Sequence, residues 1–272
     1  MKDFRAAYGQ YAIVTGASSG IGEQFARHLG AAGVNVVLVA RRKDRLEALA
    51  AELSRTHGTD NIVFALDLLA DGAVDELARG VRDLDVGIVV ANAGISSAGP
   101  LVNNSLATEL DVLTLDAAVP LRMAHHFGGE FTRRGRGAII LVASSLEASA
   151  TPFTANYAAA KAYVSSLGQA LHYELKNHGV DVLVVSPGMT KTEGAQRSNG
   201  LDFQKISSPR MAPSQVVQAA LNNLGKRARV IPGLTNNAAD LLIKHALPRS
   251  LSVDMFGWLF SRALVDTAPR ES

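Results

Sequence analysis

In the run ANYAAAKAYV a phenol and an ammonium, Tyr157 and Lys161, sit four residues apart. At that spacing on a helix two side chains share a face and can meet. A free phenol has a pKa near ~10, too high for a good base at neutral pH. A nearby ammonium favours the phenolate and lowers that value, so the pair could move protons. The bland alternative is an ordinary amphipathic helix face. The pair alone does not decide; its surroundings must.

Short apolar runs alternate with helical patterns along the 272 residues. Strands are expected at about 11–16, 34–42, 61–68, 86–94, 137–145, 180–188 and 227–233, and helices include long ones at 104–133 and 154–176, then 214–224. Continuous apolar strands alternating with helices indicate a parallel sheet covered on both faces. The expected fold is α/β, a doubly wound, mostly parallel, three-layer α/β/α sheet of the Rossmann type. No linker or composition break divides residues 1–272, so one domain is expected, with a core at about 10–233 and a helical C-terminal extension at about 234–272.

The segment TGASSGIG, 15–22, follows a strand and opens a helix, the context in which a glycine pattern marks a phosphate cradle. Gly16 allows the tight turn, Gly20 the approach of a pyrophosphate, and Gly22 close helix packing; Ser18, Ser19 and Ile21 complete the loop. The helix N-terminus offers unpaired N–H groups and a positive dipole end. At the end of the second strand stand Ala40, Arg41 and Arg42 where a carboxylate would hold ribose hydroxyls. Arginine can fork onto a 2′-phosphate, so NADP(H) is expected over NAD(H); the alternative is a solvated pair opening a helix.

These residues resemble the short-chain dehydrogenase/reductases. The markers run in order over most of the chain: TGASSGIG, Asp67 after the third strand, Asn92-Ala93-Gly94, serine after the fifth strand, Tyr157 to Lys161, and PGMTKT at 187–192. The resemblance implies that Asp67, with Leu68 beside it, meets the adenine, and that Asn92, Ala93 and Gly94 line the ribose region. It implies that Thr192, with Pro187, Gly188 and Thr190, holds the nicotinamide side. Ser144, Tyr157 and Lys161 are then the catalytic set. Tyr157 would exchange a proton with the substrate oxygen, Lys161 would tune it and bind the nicotinamide ribose, and a serine would stabilise developing charge. Ser144 and Ser145 both end the strand and face opposite ways; Ser144, 13 residues before Tyr157, is preferred for its family-like spacing.

Two positions depart from the family pattern. Where an asparagine usually supports a proton relay, LTLDAAVPL carries Asp116. Asp116 is expected either to substitute in the relay, with a more alkaline optimum for oxidation, or simply to be tolerated. No glycine closely follows the serine in SSLEAS, which leaves Glu147 near the substrate mouth or solvated.

The formal net charge of +2 and the absence of a long basic block argue against nucleic acid; Arg133, Arg134 and Arg136 read as a solvated loop. There is no cysteine, and the seven histidines form no ligand pattern, so no metal is expected. No signal-like start or membrane-length apolar run is visible, and a cytoplasmic location is expected. Substrate recognition is expected beyond the strand ends, with Leu146, Phe153 and Met189 as candidate pocket residues and the loop 189–212 as a candidate lid. The tail has two apolar segments split at Pro248 and holds Trp258. Packing or oligomerisation is favoured there over a membrane surface. The expected activity is interconversion of a small-molecule ketone or aldehyde and its alcohol by a homodimer or homotetramer. The rivals are reduction of an enoyl or imine bond on the same fold, and a non-catalytic NADP-binding regulator.

Overall fold

The computed structural model describes residues 3–193, 200–202, 205–206 and 210–265. Among them, seven strands form one sheet: β1 (Tyr11–Thr15), β2 (Asn35–Ala40), β3 (Ile62–Ala65), β4 (Val86–Ala91), β5 (Gly137–Val142), β6 (Val180–Val185) and β7 (Arg229–Val230). Every neighbouring pair is parallel, in the order β3-β2-β1-β4-β5-β6-β7. The helices in chain order are α1 (Phe4–Tyr8), α2 (Gly20–Ala31), α3 (Lys43–His57), α4 (Ala73–Val81) and α5 (Leu106–Leu113). They continue as α6 (Val119–Arg134), α7 (Ala155–Leu175), α8 (Pro213–Asn223), α9 (Leu234–His245) and α10 (Arg249–Ser261).

Strand side chains alternate between the two faces of the sheet, and each face builds its own core. Ala12, Val14, Ile88 and Val90 pack with Phe25 and Leu29 of α2, Leu46 and Leu53 of α3, and Val216 and Val217 of α8. Ile13, Val89, Ile139 and Leu141 pack with Leu77 of α4, Met123, Phe127 and Phe131 of α6, and Val164 of α7. This is the doubly wound Rossmann architecture. Strand order reverses between β1 and β4, and the crevice beyond their C-terminal ends is where such sheets take ligands.

The long helix expected at 104–133 is broken. A 3-10 turn (Leu101–Asn103) precedes α5, and a π-helical turn (Thr114–Ala118) separates α5 from α6. Pro120 explains the break: its ring lacks an N–H and crowds the carbonyl four residues earlier, that of Asp116. The chain widens to a five-residue repeat, with Val119 N–H donating to Thr114. That widening lies at Asp116 itself.

The arginine cluster before β5 is not simply solvated. Arg134 and Arg136 reach Asp85 Oδ1 at 3.0 and 2.9 Å, pinning the end of α6 to the start of β4. Strands end earlier than the apolar runs suggest, because Asn92–Gly94 and Ser144–Ser145 are spent on loops at the crevice.

The tail packs on the domain over the strand ends. Phe260 and Ala263 bury against Ala98, Leu201 and Ile206, with Leu146, Phe153, Met189 and Phe256 packed alongside. Leu264 bridges antiparallel to Leu201. Much of the candidate lid, residues 194–199, 203–204 and 207–209, lies outside the described residues. Its ends are tied by Met211 N–H to Met189 O at 2.9 Å and Lys191 N–H to Met211 O at 3.0 Å. No helix among the described residues is long and apolar enough to cross a membrane.

Candidate active site

Thr15, the last residue of β1, stitches β1 to β4 at the crevice. Its hydroxyl donates to Val90 O and accepts from the N–H groups of Asn92 and Ala93 at 2.9 and 3.0 Å. The Asn92 amide donates back to Thr15 O at 2.8 Å. A side chain on Gly22 would collide with the Gly16 carbonyl, so the first turn of α2 lies flat on the loop. Ser19 makes no side-chain cap, which leaves the N-terminus of α2 open toward the crevice. An uncapped helix end behind a glycine cradle fits a pyrophosphate. Thr192 lies over Gly20, its methyl 3.0 Å from where a Cβ would stand.

Arg42 and Arg41 behave differently. Arg42 Nη2 donates to Ser18 Oγ at 2.9 Å and Ser19 Oγ at 2.8 Å, and Nη1 to Glu193 Oε2 at 2.9 Å. Arg45 completes the grip on Glu193 at 2.7 Å, and the two guanidiniums hold that carboxyl down at about 2. Arg41 is exposed, 3.8 Å from Asp67, whose carboxylate also accepts the Leu69 N–H. Leu68 is buried in the core, and Ile21 and Ala93 pack against core clusters. Pro187 O accepts the Ser145 N–H at 2.9 Å, and Thr190 Oγ1 donates to Gly188 O at 2.9 Å.

Ser144, Tyr157 and Lys161 meet beyond the end of β5. The alanine-rich first turns of α7 bury Ala158 and Ala160, bringing Lys161 to the C-terminal end of β5 with 5% exposure. Its Nζ donates to Val142 O at 3.0 Å and stands 5.7 Å from the Tyr157 ring centre. Ser144 Oγ accepts the Leu146 N–H at 3.3 Å, and the Tyr157 phenol is half-buried.

Asp116 joins them. It is fully buried, with Oδ1 2.6 Å from Lys161 Nζ and Oδ2 accepting the Ile95 N–H at 2.9 Å. The Lys161 contact lies off the angle of a good hydrogen bond, and Oδ1 has no other partner among the described residues. Gly94 makes room, since a Cβ there would strike Oδ1. Both neighbours are donors, so two acceptor oxygens match the pocket where an amide would satisfy only one.

The electrostatics follow from burial and these contacts. Burial pushes the Asp116 carboxyl up, against the opposing pull of Lys161 and the Ile95 N–H. Burial also pushes the Tyr157 phenol up; Lys161 pulls it down, Asp116 adds to the rise, and the Ser144 hydroxyl favours the phenolate. Burial alone would depress Lys161, but Asp116 and Tyr157 together hold it above the ordinary lysine range. An acid–base phenol, a hydroxyl donor beside it and a charge pair tuning both can exchange a proton with an oxygen placed at the mouth.

Glu147 is neither at the mouth nor solvated. Its side chain is 1% exposed and paired with Arg229 at 2.5 Å, because burial of the carboxylate requires a counter-charge. Sequence reading missed this contact, the Glu193 bridge and the donor pair around Asp116. Each joins residues far apart in the chain, and no local spacing signals them.

Comparison with known proteins supports the fold and shows the family. A family profile described as short chain dehydrogenase matches residues 10–200. A 7β-hydroxysteroid dehydrogenase of Clostridium sardiniense is 33% identical over 258 residues, spanning 95% of this chain and 98% of that one. A structure solved to explain 7β-hydroxysteroid dehydrogenase stereoselectivity superposes with TM-score 0.87 at 28% identity, covering 94% of this chain and 100% of the other. A short-chain dehydrogenase of Sphingobium yanoikuyae in complex with NADPH superposes with TM-score 0.76 at 29% identity, over 90% and 99%.

Proposed function

Because the chain belongs to the short-chain dehydrogenase family and is an oxidoreductase acting on CH–OH groups, we propose that it interconverts a bulky apolar ketone and its secondary alcohol, with NADP(H) preferred over NAD(H). The observation that carries this reading is the buried Lys161 ammonium, 5.7 Å from the Tyr157 ring centre and 2.6 Å from Asp116 Oδ1, just beyond the strand that leads into Ser144.

Gly16, Gly20, Gly22 and the open end of α2 would hold the pyrophosphate, with Asn92 and Thr192 flanking it. The nicotinamide, when bound, supplies or accepts the hydride. Tyr157 gives its proton to the substrate oxygen in reduction and takes it back in oxidation. Ser144 donates to the same oxygen and stabilises its developing charge. Lys161 and Asp116 set the proton affinity of Tyr157. Two positions on the Lys161 ammonium face Val142 O and Asp116, leaving its third hydrogen for a ribose hydroxyl.

The NADP(H) preference is supported by Arg42 and Ser18 already assembled as an anion cradle, and by the NADPH complex of the Sphingobium relative. The bulky apolar substrate is supported by the roof that α10 places over Leu146, Phe153 and Met189, and by the hydroxysteroid dehydrogenase likeness. Phe153 adopts φ 65°, a left-handed conformation that is costly for a bulky residue and is found at ligand clamps. A homodimer or homotetramer in the cytoplasm completes the proposal. It is supported by the exposed Leu106, Leu110 and Leu113 along α5 and the absence of cysteine. A panel of polycyclic and linear ketones, followed by NADPH absorbance, tests the reading. No turnover across the panel despite tight NADPH binding would instead indicate a regulatory role.

A further inference from the structure

Three residues beyond Ser144, the Glu147 carboxylate enters the interior and meets four partners. Oε1 stands 2.5 Å from Arg229 Nε and accepts from Ser165 Oγ at 2.8 Å. Oε2 accepts from Ser186 Oγ at 3.1 Å, and Lys244 Nζ lies 3.9 Å from Oε1. Arg229 also forks onto Asp240 of α9 with bonds of 2.9 and 2.7 Å, and its Nε donates to Ser186 Oγ at 3.2 Å. Lys244 lies 3.5 Å from Asp240, so two carboxylates and two cations balance. Gln169 of α7 donates to Ser165 Oγ at 3.1 Å and closes the cluster.

The anchoring points are all next to catalytic groups. Ser165 is one helical turn beyond Lys161 on α7. Ser186 precedes Pro187, whose carbonyl accepts the Ser145 N–H. Glu147 closes the 3-10 turn Ser145–Ala148, which Ser144 itself caps through the Leu146 N–H. Arg229 and Asp240 continue the chain of contacts into β7 and the C-terminal extension.

We propose that Glu147, Arg229 and Asp240 are positioning residues through which α9, the first helix of the C-terminal extension, fixes the Ser144 hydroxyl, making the extension part of the catalytic apparatus. Buried ion pairs are weak sources of stability, since packed apolar residues serve as well. What a forked guanidinium adds is direction: it fixes the plane and distance of the groups it joins. Small misplacements of a catalytic group are costly in rate, so a rigid clamp one turn from Ser144 acts on turnover. This inference rests on the Ser144 role proposed above.

A double-mutant cycle tests it on the full-length enzyme. Asp240→Asn and Glu147→Gln are each made with Ser144 intact and with Ser144→Ala, at saturating NADPH. With Ser144 intact, kcat is expected to fall about tenfold, while NADPH affinity by fluorescence titration stays within about twofold. With Ser144→Ala, either change is expected to lower kcat less than about twofold, because its route to the chemistry is already gone. Asp240→Glu, which keeps the charge, is expected to recover part of the loss. Equal losses in both backgrounds, or none in either, would overturn the proposal. Should Glu147→Gln fail to fold, Asp240→Asn at the far end of the cluster carries the test. Amide exchange across 144–148 is independent of turnover and is expected to quicken in Asp240→Asn; unchanged protection there refutes the clamp even if no substrate is found.

Discussion

Replacing Asp116 with asparagine tests the electrostatics of the site most directly. The Lys161 ammonium is 5.7 Å from the Tyr157 ring centre and 2.6 Å from Asp116 Oδ1, so the carboxylate lies within ~8 Å of the ring. At an effective dielectric near ~20, a unit charge at ~8 Å contributes about 2 kcal/mol. Asp116→Asn is therefore expected to lower the apparent pKa of Tyr157, because the carboxylate that disfavours the phenolate is gone. Alcohol oxidation needs the phenolate, so kcat/KM for oxidation should rise at correspondingly lower pH. Ketone reduction needs the phenol and should fall off at lower pH as well. The same change replaces one acceptor by a donor between the Ile95 N–H and the ammonium, which costs about 1–3 kcal/mol and lowers the melting temperature. Paired pH–rate profiles, with melting followed in parallel, measure both effects. A folded, NADPH-binding variant whose profiles superpose on the parent would show that Asp116 carries no charge in the working enzyme, and the reasoning would fail.

Glu193 holds Arg42 and Arg45 and stays ionised to about pH 2, so on the proposed NADP(H) reading it would compete with a 2′-phosphate throughout any assay range. Glu193→Gln should therefore tighten NADPH binding several-fold and leave NADH unchanged, as calorimetric titration would show; equal effects on both cofactors contradict the cradle. Gly94→Ala should displace Asp116 and destabilise the fold by roughly 1–3 kcal/mol, measurable by denaturant unfolding, because the new Cβ meets Oδ1. Ser144→Ala should cost about a hundredfold or more in kcat, whereas Ser145→Ala should cost little; the reverse pattern would transfer the role to Ser145. Phe256→Ala should raise KM for bulky ketones more than for small ones, and a uniform change would remove α10 from the substrate roof.

The parts of this architecture that depend on short-range order were readable before the fold. Strands such as Gly137–Val142 are apolar at every position because both faces are covered, and the glycine spacing of TGASSGIG marks where a helix starts. Tyr157 and Lys161 are four apart, so one helix places them. The break at Asp116 was less legible, although Pro120 carried the clue in its missing N–H. Glu147 was misread because its counter-charge, Arg229, arrives from β7 only when the sheet is assembled. The Asp116 pocket depends on an N–H at Ile95 and on the bare Cα of Gly94, and neither backbone feature has a side-chain signature.

The antiparallel bridge between Leu264 and Leu201 gives the end of the fold a mechanical role. Asp202 N–H donates to Ala263 O at 2.7 Å and Val265 N–H to Gly200 O at 3.1 Å, so the last described turns are laced to residues 200–202, ahead of α8. Force or bulk applied after Val265 would be transmitted to that segment. Purification handles and fusion partners therefore belong before α1, on the opposite side of the sheet's chain ends from this lacing. Screens for altered substrate range should treat residues 256–265 together with 200–202 and Ile206 as one unit, diversified together rather than in turn.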